Sequence, residues 1–321
     1  TRPGSLPAIP PVEVAAAIVP WRSSATAPTV PAGAPAALSV LTLTRVVGGG
    51  PIRYHVGGWP PPWGIELVVD HLSAFTAAAV SGMVALALLY ARPPRTAAGS
   101  EGSFFGLALL FLAGLMGMVV TGDLFNLFVF LEVASISSYA LVASGGGRAL
   151  LAAFRYTLLG TVGASFYLLG VGHLYLLTGS LNMADLAQRL PSVPPSMVQA
   201  VAVGLLVIGL GIKMGLFPLH GWLPDAYTYA PPAVAGLIAP VTTKVAAYAL
   251  ARVLFSVLGA PEGLGRIPLM TLLAWAGGVA IVAGGATLVV WLAVGATAAL
   301  AVERLVAVLV IACPHALGLA V

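Results

Sequence analysis

Lys213 and Lys244, the two lysines of the chain, fall in one apolar stretch, Ile208 to Leu250, which reads IGLGIKMGLFPLHGWLPDAYTYAPPAVAGLIAPVTTKVAAYAL. A lysine is costly in hydrocarbon, and one tolerated there usually faces a bundle interior or a water-filled path and takes part in ion or proton transfer. All the other Lys/Arg-type cations of the chain are arginines, which keep their protons, whereas a lysine can exchange one. The same stretch carries Asp225 and His220, whose ordinary pKa near ~6.5 suits proton exchange with water. Glu132 sits apart in the apolar run LFVFLEVAS, and an intramembrane carboxylate is by default a functional-site candidate. The chemistry these types and places imply is a proton relay inside a membrane.

Composition agrees with that setting. The chain has 321 residues, 60% of them hydrophobic and 7% charged, with a mean hydropathy of +1.03. A soluble protein carries roughly a quarter charged residues, so the fold class expected is an all-α polytopic membrane protein in a lipid bilayer. The net charge of +4 comes from scattered arginines rather than a basic run, which argues against a nucleic-acid partner. One cysteine, Cys313, excludes an internal disulfide and a cysteine-rich metal cage. Phosphate-binding loops, zinc-spaced His/Cys sets and nucleophile triads find no support, and no cofactor is implied.

The elements that must position these groups follow from the apolar runs. Residues 1–50 read as a poorly ordered or degraded N-terminal segment: Thr1 to Ala36 is rich in Pro and Ala, and Ala36 to Val47 is long enough for a partial helix only. The next string, GGGPIRYHVGGWPPPWGIELVVD, suits a short β-hairpin at the membrane interface. Asp70 to Ala91, Phe104 to Thr121, Asp123 to Ala143 and Leu150 to Leu177 each reach the ~20 apolar residues a span requires. Asn182 to Ser196 reads as a polar loop. The helix that resumes near Met197 carries Gly209, Gly211, Gly215 and Pro218 around Lys213, the composition of a broken membrane helix lining a cavity. Pro231 and Pro232 open a further span, which would put Lys244 about 18 Å along it; Glu132 lies about 14 Å into its own helix. Roughly eight to nine spans are expected, one of them broken. Arginines fall on both sides, so the positive-inside rule leaves orientation open.

Blander roles compete for the same residues. Glu132, Lys213 and Lys244 could form structural ion pairs, although such pairs often stabilise no better than an apolar isostere. His220 suits an interfacial hydrogen bond as well as a relay. Asp225 is expected to cap the next element, Arg155 to snorkel toward the interface, and His173 to bond locally.

The strings TGDLFNLFVFLEVASISSYALVA (121–143), GIKMGLFPLHGWLPDAYTYAPPAVAGLIAP (211–240), TTKVAAYALARVLF (242–255) and GGWPPPWGIELVVDHLSAF (57–75) resemble the antiporter-like membrane subunits shared by respiratory complex I and the Mrp-type cation/proton antiporters. The tail AYTYAPPAV is closer to the Mrp D-type form than to the complex I form. The resemblance implies an antiporter-like transmembrane domain over 51–285 and a non-enzyme transporter subunit working with other membrane subunits in the bacterial plasma membrane. Its cargo would be protons and monovalent cations such as Na+. It further implies that Glu132, Lys213, Lys244 and His220 form the proton relay: Lys213 holds its proton while paired with Glu132 and passes it toward Lys244 when the pair opens. The family has two inverted halves, so the chain is expected to be truncated to the first.

The final string ALAVERLVAVLVIACPHALGLAV resembles the metal-site membrane helix of heavy-metal P-type ATPases, in which Cys313 and His315 would ligate copper beside Pro314. A second unit over 286–321 is thus expected, joined by fusion or frameshift at a seam between Ala274 and Val290. The readings to be weighed against an antiporter subunit are a fragment of a copper-transporting ATPase and a nonfunctional chimeric membrane fragment. A DKTGT-type phosphorylation string would favour the ATPase, and the sequence has none.

Overall fold

A computed structural model describes residues 33–91, 101–259, 269–302 and 304–305. Helix α1 (Ala34–Gly49) is followed by strands β1 (Ile52–His55) and β2 (Glu66–Val69), then by α2 (His71–Tyr90), α3 (Glu101–Val120), α4 (Leu124–Ala143) and α5 (Arg148–Thr178). A short α6 (Met183–Arg189) precedes α7 (Met197–Met214), two one-to-two-turn pieces α8 (Leu223–Tyr229) and α9 (Pro232–Ile238), α10 (Thr242–Ala251) and α11 (Leu269–Ala293). Seven stretches are long and apolar enough to cross a membrane, counting Pro232–Val257 as one; α1, with 16 residues, is shorter. The all-α polytopic class with a small hairpin holds, and seven of the roughly eight to nine spans expected fall among the described residues.

The helix starts are set locally. Asp70 accepts from the Ser73 N–H at 2.9 Å while Ser73 Oγ accepts from the Asp70 N–H at 2.7 Å, a reciprocal cap that fixes the first turn of α2. Asp123 accepts from the Asn126 N–H at 2.7 Å to start α4, and Ser196 caps α7. These caps fall where spans must begin, because the first N–H groups of a helix entering lipid need partners at the boundary.

The hairpin expected between residues 48 and 70 is present, antiparallel with Ile52 opposite Val69 and His55 opposite Glu66. Gly122 N–H donates to Glu66 O and Met183 N–H to Gly122 O, both at 2.8 Å. The hairpin, the α3–α4 turn and the α5–α6 turn therefore close over one end of the bundle. Glu66, buried there, accepts from Arg53 and Asn182, each at 3.1 Å. The segment read as a polar loop after Asn182 contains α6, capped by the Asn182 side chain and closed by the Arg189–Asp185 ion pair.

The bundle packs tightest where α5 crosses α7. A Cβ on Gly209 would come within 2.6 Å of Gly163 O and of Tyr167 N, and one on Gly163 within 3.0 Å of Gly209 O. Without a hydrophobic driving force between helices in lipid, such backbone contact is a main source of association. Gly209→Leu should force α5 and α7 apart at a cost of about 1–3 kcal/mol. The measurement is thermal inactivation of the detergent-solubilised protein, which should shift to lower temperature, whereas Gly204→Leu, with open space around it, should not.

Candidate functional site

α7 ends one residue after Lys213. Gly215 adopts a left-handed φ of 71° and the chain then leaves the helix for residues 215–222 before α8 begins. The break expected around Lys213 is there, and it falls just C-terminal to the lysine. A second break, not read from the sequence, separates α9 from α10 at residues 239–241, and α10 passes into a wider π-helical stretch at Arg252–Val257. Lys244 is thus the third residue after a break and not deep within a continuous span. Alanine, valine and threonine at 239–243 gave no breaker signal beyond Pro240.

Lys213 is the buried cation of the site, its side chain 7% exposed. Its Nζ donates to Glu132 Oε1 at 3.2 Å, to Ser135 Oγ at 2.7 Å and to Tyr139 OH at 3.2 Å, and it lies 5.7 Å from the Tyr139 ring centre. The three acceptors follow one face of α4 at spacings of three and four residues, so a single helix presents the whole cradle. An ammonium has three protons to donate, and all three find an oxygen. Gly160 on α5 makes the space: a Cβ there would lie 1.9 Å from Tyr139 OH. Glu132 is 26% exposed on the side chain, so the pair is sealed around the lysine and open toward the carboxylate.

The structure therefore brings Glu132 and Lys213 together and leaves Lys244 and His220 outside that contact. Lys244 Nζ donates to Ala239 O at 3.0 Å, satisfying a carbonyl freed by the second break. His220 stacks on Phe217 at 5.5 Å, and its Nδ1 is buried without a hydrogen-bond partner. Ser135 and Tyr139 were missed; the signal available was their i+3 and i+7 spacing from Glu132. His173 bonds locally to Leu169 O at 2.7 Å, as expected. Arg155 does not simply snorkel: it pairs with Asp225 at 2.6 Å, tying α8 to α5, and Asp225 makes no capping bond. Cys313 and His315 lie outside the described residues, and among the described residues no group of three His, Cys, Asp or Glu could hold a metal ion.

A second polar cluster lies at the hairpin end. Arg252 pairs with Asp70, and its Nε donates to Tyr248 OH at 2.9 Å, while Tyr248 OH donates to Val119 O at 2.8 Å. Burial raises the Asp70 carboxyl, but the hydrogen bonds from Arg252 and from the Ser73 N–H outweigh it and hold Asp70 below the usual carboxylate range.

Residues 121–290 match the family model described as NADH:quinone oxidoreductase/Mrp antiporter, TM. The chain belongs to that family. It is 52% identical over 262 residues to NADH-quinone oxidoreductase subunit N of Desulforudis audaxviator, covering 78% of this chain and 51% of the relative. It is 40% identical over 213 residues to a probable K(+)/H(+) antiporter protein, of the D type, from Rhizobium meliloti, covering 65% and 39%. Among solved structures, a chain of the Mrp complex from Dietzia sp. DQ12-45-1b superposes with a TM-score of 0.66 at 29% identity, over 87% of this chain and 52% of that one. A chain of the archaeal membrane-bound sulfane sulfur reductase superposes with a TM-score of 0.69 at 33% identity, over 80% and 51%. The chain spans about half the length of the curated relatives it matches, or less. Family and helices together make this a multi-pass membrane protein. The family match runs to residue 290, and α11 is one helix from Leu269 to Ala293, across the expected seam.

Asp70→Asn keeps a capping side chain but removes the charge that pairs with Arg252. Because the folded carboxyl is held below its unfolded value, its stabilisation is present above the ordinary Asp range near ~3.9 and is lost as pH falls through the folded value. The variant should melt at lower temperature than the parent at neutral pH, with the gap closing on acidification. A pH-independent difference would contradict the ion pair as the source of that stability.

Proposed function

We propose that this chain is a proton-translocating subunit of a multisubunit monovalent cation/proton antiporter, using Glu132, Lys213 and Lys244 as its relay with His220 at the broken connector. The observation that supports it is the Lys213–Glu132 pair: a sealed ammonium and a half-open carboxylate on separate spans, inside the segment that matches the antiporter family. Lys213 holds a proton while Glu132 neutralises it; withdrawal of the carboxylate leaves a desolvated ammonium that is costly to keep, and the proton passes toward Lys244. On this reading the chain is a transporter subunit and no enzyme, sits in a bacterial plasma membrane, and works beside other membrane subunits. Residues 51–285 form its antiporter-like unit. The copper-site role of Cys313 and His315 in 286–321 belongs to this proposal only as a separate appendage with no part in the relay.

A second reading rests on the 52% identity to a subunit named NADH-quinone oxidoreductase subunit N: a proton-pumping membrane subunit that exchanges no other cation. Vesicles containing the chain with its partner subunits, monitored with a fluorescent pH probe, separate the two. Lys213→Ala and Glu132→Ala should each abolish proton movement driven by added Na+ or K+; unchanged exchange in both variants would falsify the relay. Proton movement that is lost in both variants yet never responds to Na+ or K+ would select the second reading.

A further inference from the structure

The segment of chain that joins Lys213 to the exposed Lys244 buries mainly apolar side chains, among them Leu223, Ala226, Val234, Leu237 and Ile238. A proton cannot cross such packing without polar stepping points, because an isolated charge there is strongly disfavoured. One line of aromatic contacts leads from the Lys213 cradle to Tyr227. Tyr139, which bonds Lys213, meets Tyr156 edge-on at 4.5 Å; Tyr156 stacks on Trp222 at 4.1 Å with rings 3° from parallel; Trp222 meets Tyr227 edge-on at 6.3 Å. Trp222 is locked in that line by its Nε1–H, which donates to Ile212 O at 2.8 Å.

Two hydroxyls of this line are spoken for. Tyr139 OH accepts from Lys213, and Tyr156 OH accepts from Ser138 Oγ at 3.2 Å. Tyr227 OH is different: it is buried and makes no well-formed hydrogen bond, while the Thr243 side chain lies near enough to bond it and Tyr156 near enough to interact with it electrostatically. Thr243 immediately precedes Lys244, whose Nζ is drawn back to Ala239 O, toward the α8–α9 end of α10. A buried phenol whose hydroxyl is this poorly paired is uncommon, so its retention at this point asks for a use.

We infer that Tyr227 is the proton-relaying hydroxyl that links the Lys213 cradle, through Tyr139 and Tyr156, to Thr243 and Lys244. The inference rests on the relay reading above and names the path within it. Each event moves one proton. The Lys213 ammonium releases it, each hydroxyl in turn takes a proton on oxygen while its own O–H proton departs to the next oxygen, directly or through water, and the neutral Lys244 amine takes the last. Only O–H and N–H bonds form and break.

The test is Tyr227→Phe, which keeps the ring and its contact with Trp222 and deletes the oxygen, compared with Lys213→Ala in the same vesicles in H2O and D2O. Tyr227→Phe should assemble at the parent level and lower proton flux at least about tenfold, with a raised solvent isotope effect because proton transfer across the position of the missing oxygen has become limiting. Flux unchanged in Tyr227→Phe while lost in Lys213→Ala overturns this inference and leaves the relay reading standing. A lowered flux with an unchanged isotope effect assigns Tyr227 a packing role and also overturns it. Flux unchanged in Lys213→Ala defeats the relay reading itself.

Discussion

An ammonium held inside a membrane bundle must have each of its protons accepted, and Lys213 meets that demand from one neighbouring helix. Glu132, Ser135 and Tyr139 stand at successive turns of α4 and all point at the same nitrogen. Much of the fold can be traced to keeping that arrangement intact. α4 is started sharply by Asp123, α5 leaves room at Gly160 for the Tyr139 hydroxyl, and α7 is brought against α5 through Gly163 and Gly209. A methyl group at Gly160 would fall 1.9 Å from the Tyr139 hydroxyl, one of the lysine's acceptors.

The two chain breaks serve the same constraint from the other direction. Helices interrupted in the bundle free carbonyls that a side chain or water must satisfy. Lys244 takes one such carbonyl at Ala239, and Trp222 takes the Ile212 carbonyl beside Lys213. The connector between the breaks is pinned at one edge by Arg155–Asp225 and centred on the Tyr156–Trp222 stack. The opposite end of α10 is pinned by Arg252 to Asp70. Rigid ends around a polar centre are what a site needs if one ion pair is to open and close without the bundle following it.

Much of this was legible in the residues. Composition and run length gave the membrane class, the glycines and Pro218 gave the first break, and the intramembrane Glu and Lys marked the candidate site. Glu132 and Lys213 are indeed in contact. The second break was not legible, because residues 239–243 differ little from the helix that follows and Pro240 alone does not say whether a helix kinks or stops. Ser135 and Tyr139 were passed over because serine and tyrosine on a mostly apolar helix are common and carry no charge; only the tertiary approach of α7 gives them a role. The Arg155–Asp225 pair, 70 residues apart, has no local signature either. Hydropathy reports which segments enter lipid, while the faces that meet are decided by packing.

With Lys213 and Lys244 as the two lysines of the chain, 15N labelling of lysine yields two side-chain Nζ signals, which can be recorded for the protein in bilayers. Glu132→Gln should displace one of them, the signal that disappears in Lys213→Arg, and leave the Lys244 signal where it was. Two undisplaced signals, or displacement of the Lys244 signal alone, would contradict a site built on the Lys213–Glu132 pair.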